Sequence, residues 1–445
     1  MKVYSFPRGG IFFEDTRVPD RSSSETAYLP ALSVIPLIQH TGGRAYPIVS
    51  VGDSVREGML IGRGQGMGST NIHATVPGRV VRMVSWKSPD GLVNDALVIR
   101  MEGRFDKLGK AEEVSSWADL SPFVLQRLIS EFGVVEMDGI GRPVADILSA
   151  LRSAGDPLTL VVRCVFDDPW LAADYVLCRE RLKAVAEGSA IIARAARASR
   201  VVFALSHREK DLGALFLAEA GNYGLTASLV LTGSRYPQRN RRELELVLRD
   251  YEKKEGVKLG SLLILGPATL AAIHDAVKLK KPILDRYVAV GGSAVKYPKV
   301  IKVRIGTRIG EVFAECGGFV DRPKRIVIGS PLLGRTVADL DEPVIKSSYA
   351  VFAMLESQVG FSPPRNCIGC GECRTVCPVG LDPEELFKRV GGKKSGGKRS
   401  GAGGGAIGST HGILNECHGC GCCEVVCPSR LPLSSVILGA VARGI

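Results

Sequence analysis

Two stretches near the C-terminal end, "NCIGCGECRTVCPVGLDP" (366–383) and "ECHGCGCCEVVCPSRLP" (416–432), constrain this chain more than any other feature. Cys367, Cys370, Cys373 and Cys377 stand at C-x2-C-x2-C-x3-C with Pro378 behind them. Cys417, Cys420, Cys423 and Cys427 repeat the pattern with Pro428. This is the spacing of bacterial two-cluster ferredoxins. Three thiolates on one tight, glycine-bearing loop reach three corners of an iron–sulfur cube, while the fourth points away and ligates the other cube. The expected sets therefore cross: Cys367, Cys370, Cys373 and Cys427 for one [4Fe-4S] cluster, Cys377, Cys417, Cys420 and Cys423 for the second. Zinc sites and disulfides are the competing uses of such residues, and two complete x2-x2-x3 runs fit neither as well. Cys422 is surplus and is expected as a free thiol beside a cluster. Cys164, Cys178 and Cys316 have no partner spacing and read as small buried hydrophobes.

At 445 residues the chain is too long for one core, and two to four domains are expected. No run approaches ~18 uninterrupted apolar residues. The N-terminus "MKVYSFPRGGIFFEDTR" lacks the apolar core and cleavage site of a signal peptide. The cytoplasm, where thiolates stay reduced, is the expected compartment. The net charge of +12 suits an anionic membrane face or acidic redox partners. No nucleic-acid-binding motif accompanies it, so nucleic acid is not an expected partner. Much of the surplus sits in "KRVGGKKSGGKRSGAGGG" (388–405). That composition is one of a solvated, flexible insert, with a tether to phospholipid headgroups or an acidic partner as its functional reading.

Along the chain, residues 44–84 read as short strands broken by glycine turns. "YPIVSVGDSVREGMLIGRG" (46–64) is answered by "IHATVPGRVVRM" (72–83), a pairing similar to a biotinyl/lipoyl-type barrel sandwich. The tip "QGMGSTN" (65–71) has no lysine to carry a covalent cofactor, so this domain is expected to be structural. From about 120 to 260, buried strands at 158–166, 200–206 and 226–233 alternate with helical patterns at 171–198 and 210–223, which predicts an α/β layer with a mostly parallel sheet. A helix over 266–281 leads to two strands, a turn and a short helix over 286–318. The expected organisation is multidomain α/β plus β: a barrel-sandwich domain over 1–110, a Rossmann-like α/β domain over 118–260, a small β-grasp-like domain over 261–350, and a two-cluster ferredoxin-like helical domain over 355–445 that carries the basic insert 388–412.

These pieces, in this order, resemble the C subunit of the Rnf (Rsx) electron-transport complex. "FPRGGIFFED" (6–15) is similar to the family's opening Gly-Gly stretch, and "VIPLIQHTGGRAYPIVSVGDSV" (34–55) to its barrel entry. "VAVGGSAVKYPKVIKVRIGT" (288–307) is similar to its soluble-ligand-binding β domain, and "IGSPLLGRTVADLDEPVIKSSYAVFAM" (328–354) to the segment that follows. The resemblance implies an α/β domain like the flavin subunit of respiratory complex I, with a noncovalent FMN that takes hydride from NADH. It also implies integral-membrane and flavoprotein partner subunits, ferredoxin or another redox donor, and a peripheral position on the cytoplasmic side of the inner membrane.

The departures from the family pattern fall on the flavin motifs. The family's Gly-Gly-Ala-Gly-Phe-Pro loop with a following lysine is "DGIGRPVADIL" (138–148) here. Gly139, Gly141 and Pro143 remain, Asp138 and Ile140 replace small residues, and Arg142 is the compensating cation. The family's Asn-Gly-Ala-Glu-Cys-Glu-Pro is "RCVFDDPW" (163–170), with Asp168 for the last glutamate, and its Tyr-Pro-Gln-Gly-Gly-Glu is "YPQRNRRE" (236–243). Gly139, Gly141, Arg142 and Asp168 are thus the candidate FMN contacts, with Asp138 expected to repel a phosphate. The expected function is electron relay through two [4Fe-4S] clusters in an ion-translocating complex. The alternatives are a soluble reductase resembling the cobalamin reductases and a relay adaptor whose flavin pocket has decayed.

Overall fold

The computed structural model describes residues 2–13, 19–87, 91, 93–103, 116–138, 141–151, 157–359, 363–391 and 412–443. Most of the basic insert and the candidate Gly139 lie outside the described residues.

A parallel five-stranded sheet runs in the order Val3–Tyr4, Ala227–Thr232, Arg200–Ser206, Leu158–Cys164, Ser261–Leu265. Leu158–Cys164 is buried at every position, as a strand covered on both faces must be. Its side chains alternate between two cores. Leu160, Val162 and Cys164 meet the helices Ala172–Glu180, Leu182–Ala196 and Pro267–Lys278, while Val161 meets Leu244, Val247 and Leu248 of the helix Arg241–Glu255. The helices Leu182–Ala196 and Pro267–Lys278 cross closely at Gly188, where a Cβ would run into the Leu270 carbonyl. The helical pattern expected over 171–198 is two helices, divided at Arg181, whose guanidinium donates to Asp275 at 3.0 and 2.6 Å.

The expected break at 260 is corrected. Ser261–Leu265 pairs with Leu158–Cys164 in the parallel sheet, and Pro267–Lys278 packs on it. The small β unit begins with Asp285–Gly291 instead. Its mixed sheet runs Arg335–Val337, Arg325–Ile328, Ala350–Met354, Asp285–Gly291, Lys299–Arg304, Ser24–Thr26. Two N-terminal segments therefore leave the barrel region to complete other sheets: Val3–Tyr4 joins the α/β layer and Ser24–Thr26 joins the small β unit.

The barrel sandwich packs the strands Leu32–Pro36, Val93–Met101, Gly78–Lys87 and Ser54–Val55 against Tyr46–Pro47, Leu60–Arg63 and Ile72–His73. Ile35, Leu37, Ile61, Ile72, Val80, Leu97 and Ile99 fill the space between them. Buried Lys346 links three units: its Nζ donates to the carbonyls of Asn71 (3.0 Å) and Gly133 (2.8 Å), and burial lowers its pKa to about 7. The C-terminal unit packs Pro383–Gly391 against Leu433–Ala442 through Leu386, Leu414, Ile437 and Ala440. Among the described residues no helix is long and apolar enough to cross a membrane.

Candidate cluster sites and an adjoining cavity

Each cysteine run is shaped by the same glycine. Gly371 and Gly421 both have φ +77°, a left-handed turn that glycine adopts without steric cost. Each turn starts a single helical turn, Glu372–Thr375 or Cys422–Val425, that carries the third cysteine inward. Cys367, Cys370, Cys373 and Cys427 line one small cavity together with Leu431 and Leu433. On the other side, burial raises the pKa of Cys417 and of Cys423. Cys420 and Cys377 lie close enough to both thiols to influence them electrostatically, which groups these four cysteines together. Backbone N–H groups point at three of the sulfurs: Gly369 to Cys367 at 3.4 Å, Leu381 to Cys377 at 3.2 Å and Leu431 to Cys427 at 3.4 Å. Such N–H···S contacts help set the potential of a cluster. Among the described residues no three His, Cys, Asp or Glu side chains close on a single metal ion.

Cys422 is fully buried beside the second group. Cys316 is buried as expected, and Cys164 and Cys178, unrelated by spacing, meet in the core with sulfurs 3.8 Å apart.

The N-terminal "PRGG" lies against the second group, a contact that no spacing in the sequence signals. Gly9 has φ +69°, and a Cβ there would stand 2.6 Å from the backbone of Cys377. Gly10 N–H donates to the Val376 carbonyl at 2.8 Å, and Arg8 donates to the Val379 carbonyl at 3.0 Å. From the α/β layer, the Tyr236 hydroxyl donates to the Cys420 carbonyl at 2.8 Å, Asn240 meets His418 at 3.0 Å, and Arg242 pairs with Glu416 at 2.6 Å.

Beside this contact opens a cavity of about 1220 Å³. Its walls come from three units: Glu136, Asp138, Arg142, Arg163 and Arg239–Arg242 of the α/β layer, Ile328–Gly329 and Ser347–Tyr349 of the small β unit, and Glu416 and His418 flanking Cys417. The cavity and the second cysteine group thus share a wall.

Of the candidate flavin contacts, Arg142 lines the cavity. It is half-exposed, and its Nε lies 3.7 Å from Glu136. Gly141 has φ +68°, and its carbonyl accepts from the Thr41 N–H at 2.9 Å, tying the loop to the barrel. Asp168 is not a cavity residue. Its carboxylate is buried below and accepts the Trp170 N–H at 2.9 Å, and burial pushes its pKa to about 6. Asp138 is corrected as well. It is not a bare anion balanced by Arg142, because Arg163 donates directly to its Oδ2 and Arg239 stands 3.5 Å from the same oxygen. Burial alone would raise the Asp138 pKa, but the two guanidiniums outweigh it and hold it below the usual carboxylate value. Arg239 also reaches Asp174 at 3.4 Å, and its N–H donates to Asp167 at 2.9 Å. Burial pushes Asp167 up to about 7.

With this layout in view, the family is settled by comparison. Residues 5–104 match the RnfC barrel sandwich hybrid domain, 129–274 the Nuo51 FMN-binding domain, 287–338 the SLBB domain and 364–431 a 4Fe-4S dicluster domain. The C subunit of the ion-translocating oxidoreductase complex of Rhodobacter capsulatus is 32% identical over 388 residues, covering 86% of this chain and 74% of the relative. The chain belongs to the RnfC family of ion-translocating oxidoreductase complexes. Two other relatives are C subunits as well. That of the proton-translocating ferredoxin:NAD(+) oxidoreductase complex of Clostridium ljungdahlii is 29% identical, covering 85% of this chain and 83% of the relative. That of the Na(+)-translocating complex of Acetobacterium woodii is 25% identical, with 80% of each chain covered. The RnfC-type barrel with all three other domains in the expected order bears out the multidomain α/β plus β reading, and the dicluster match bears out the two [4Fe-4S] clusters. The Nuo51-type match makes FMN plausible for an RnfC chain of this kind.

Proposed function

We propose that this protein relays single electrons through two [4Fe-4S] clusters, one held by Cys367, Cys370, Cys373 and Cys427, the other by Cys377, Cys417, Cys420 and Cys423. The carrying observation is the crossed grouping, in which Cys427 comes to the first run and Cys377 to the second. The clusters supply the one-electron chemistry. The chain supplies the thiolates, burial behind Leu431 and Leu433, and the N–H donors of Gly369, Leu381 and Leu431. The second group is the one next to the large cavity, so it is the point of exchange with whatever docks there, and the first group lies further along the relay.

The protein sits peripherally on the cytoplasmic side of the inner membrane, against integral-membrane and flavoprotein subunits, with its charge of +12 facing anionic lipid. Surface attraction of this kind is worth roughly 1 kcal/mol per well-placed basic residue and is screened by salt. Ferredoxin, named in two of the relatives, is a fitting redox partner.

One anaerobic preparation tests both parts. A high-salt wash should release the protein from membranes without detergent, carrying about eight irons, four per cube. Cys377→Ala should then abolish the paramagnetic signal of the cluster on Cys417, Cys420 and Cys423 and spare the other. Release by detergent alone would sink the peripheral placement. Loss of the Cys367-side signal instead would sink the crossed assignment.

A further inference from the structure

In an open parallel sheet the ligand crevice lies at the carboxyl ends of the strands, and an anion is held there by a helix N-terminus. Here that place belongs to the helix Pro267–Lys278, which starts directly after the strand Ser261–Leu265 with Gly266 as its N-cap and no side-chain cap. Its end is already filled. The Asp138 carboxylate lies against Gly266 so closely that a Cβ there would collide with it. The Asp138 side chain is 2% exposed, and Arg163 and Arg239 hold it from the carboxyl end of the neighbouring strand and from the "YPQRNRRE" turn.

These three residues come from three separate segments of the chain, around residues 138, 163 and 239. Here both guanidiniums bind the one carboxylate oxygen. A carboxylate held by two guanidiniums at a helix N-terminus takes up, with protein groups, the donors that a phosphate would use there. The second partner of Arg239, Asp174, and the Arg239 N–H bond to Asp167 fix the network further.

We propose that the Asp138 carboxylate, locked by Arg163 and Arg239, takes the anion position of this FMN-type domain, so that the cavity holds no flavin and the protein exchanges electrons only with one-electron carriers. Each exchange then moves one electron between the carrier protein and the chain, oxidising one by one electron and reducing the other, with no hydride and no proton. A hydride donor such as NADH has no acceptor in the chain. The cavity wall at Glu416 and His418, next to Cys417, is where such a carrier would approach.

This inference rests on the relay reading, and its test keeps the two apart. Anaerobic cluster-loaded protein is titrated with FMN, and quenching of flavin fluorescence is followed. At about 10 µM FMN, where a site of micromolar or tighter affinity is largely filled, no saturable quenching is expected. Stoichiometric quenching of FMN that survives gel filtration would overturn the proposal whatever any variant does. The combined variant Asp138→Gly, Arg163→Asn, Arg239→Gly should bind FMN at least about tenfold more tightly than the wild type, a tenfold change being about 1.4 kcal/mol. A folded variant with unchanged affinity would overturn the assignment of the anion position. In a second arm, reduced methyl viologen, a one-electron donor, should bleach the cluster absorbance, whereas NADH with FMN should not. Bleaching by NADH refutes the inference. Failure with methyl viologen refutes the relay reading instead, and the flavin titration, which needs no cluster, still decides this one.

Discussion

The cluster unit and the cavity beside it share a wall but are specified in opposite ways. Each cluster site takes three of its four thiolates from a loop of seven residues, so covalent spacing alone determines what it can hold. The cavity is assembled from segments around residues 138, 163, 239, 329, 348 and 418, and no local stretch carries its chemistry. The first kind of site changes by losing a residue. The second can change its occupant by exchanging side chains at several distant points, provided the new ones satisfy each other. Asp138, Arg163 and Arg239 show this: each alone would be a buried unpaired charge, and together with Asp174 they form a buried network of two carboxylates and two guanidiniums.

The largest expected effect probes that mutual satisfaction. Arg163→Ala would leave Asp138 buried with Arg239 alone at 3.5 Å. Removing one partner of a buried pair costs about 3–5 kcal/mol. Because the folded-state pKa of Asp138 is depressed, the network's contribution is present above the unfolded carboxylate value and is lost as the pH falls through the folded value. Thermal melts should therefore show a wild-type-to-variant gap that persists from pH 7 down to about pH 4 and narrows only below it. Adding Asp138→Asn to Arg163→Ala should recover most of the loss. If the double variant is no better than the single, the two residues are not coupled.

On the cluster side, the corresponding dependence on distant chain is Gly9. Its φ of +69° and the 2.6 Å approach to Cys377 leave no room for a side chain. Gly9→Val should cost roughly 1–3 kcal/mol through overpacking and left-handed strain. The loss should fall on the second cluster, because the segment lies on Cys377, and iron should drop from about eight toward four per chain. Full iron content in Gly9→Val would mean that the cysteine runs are self-sufficient and owe nothing to distant chain, unlike the cavity.

How far the sequence could be read follows the same division. The strands Leu158–Cys164 and Arg200–Ser206 were legible as apolar runs because they are buried on both faces, and Ala227–Thr232 because its second half, Val230–Thr232, is buried. Ser261–Leu265 has the same character, but apolarity says that a strand is buried and not which sheet it joins, so it was assigned to the wrong unit. Val3–Tyr4 and Ser24–Thr26 are too short to carry any period, and their pairing is purely non-local. In the site, the cysteines and the departures from the flavin motifs were visible one by one. The role of the "PRGG" segment against Cys377 and the pairing of Asp138 with Arg163 and Arg239 depend on three-dimensional proximity, which no spacing encodes. Asp168 was chosen by its place in a motif, yet the local turn points its carboxylate back at the Trp170 N–H.

The smallest expected effect tests whether the buried network behind the cavity retains charge it does not need. Asp167 is buried, its Oδ2 accepts the Arg239 N–H, and its Oδ1 has no hydrogen-bond partner among the described residues. Burial raises its folded-state pKa to about 7. For a carboxyl raised in this way the folded state keeps a proton that the unfolded chain releases, so stability declines as the pH rises from the unfolded value near 4 to about 7, and is level above that. Asp167→Asn keeps an acceptor for the Arg239 N–H and removes the titration. It adds an amide whose donors cost part of the gain, since an unsatisfied buried donor costs about 1–3 kcal/mol. The net expectation is a variant about 1–2 kcal/mol more stable than the wild type at pH 8 and no more stable at pH 5. Melting curves that stay parallel from pH 5 to pH 8 would show that Asp167 is accommodated as an ordinary ionised carboxylate. The arginines of the cavity would then be holding one more anion than the Asp138 network requires.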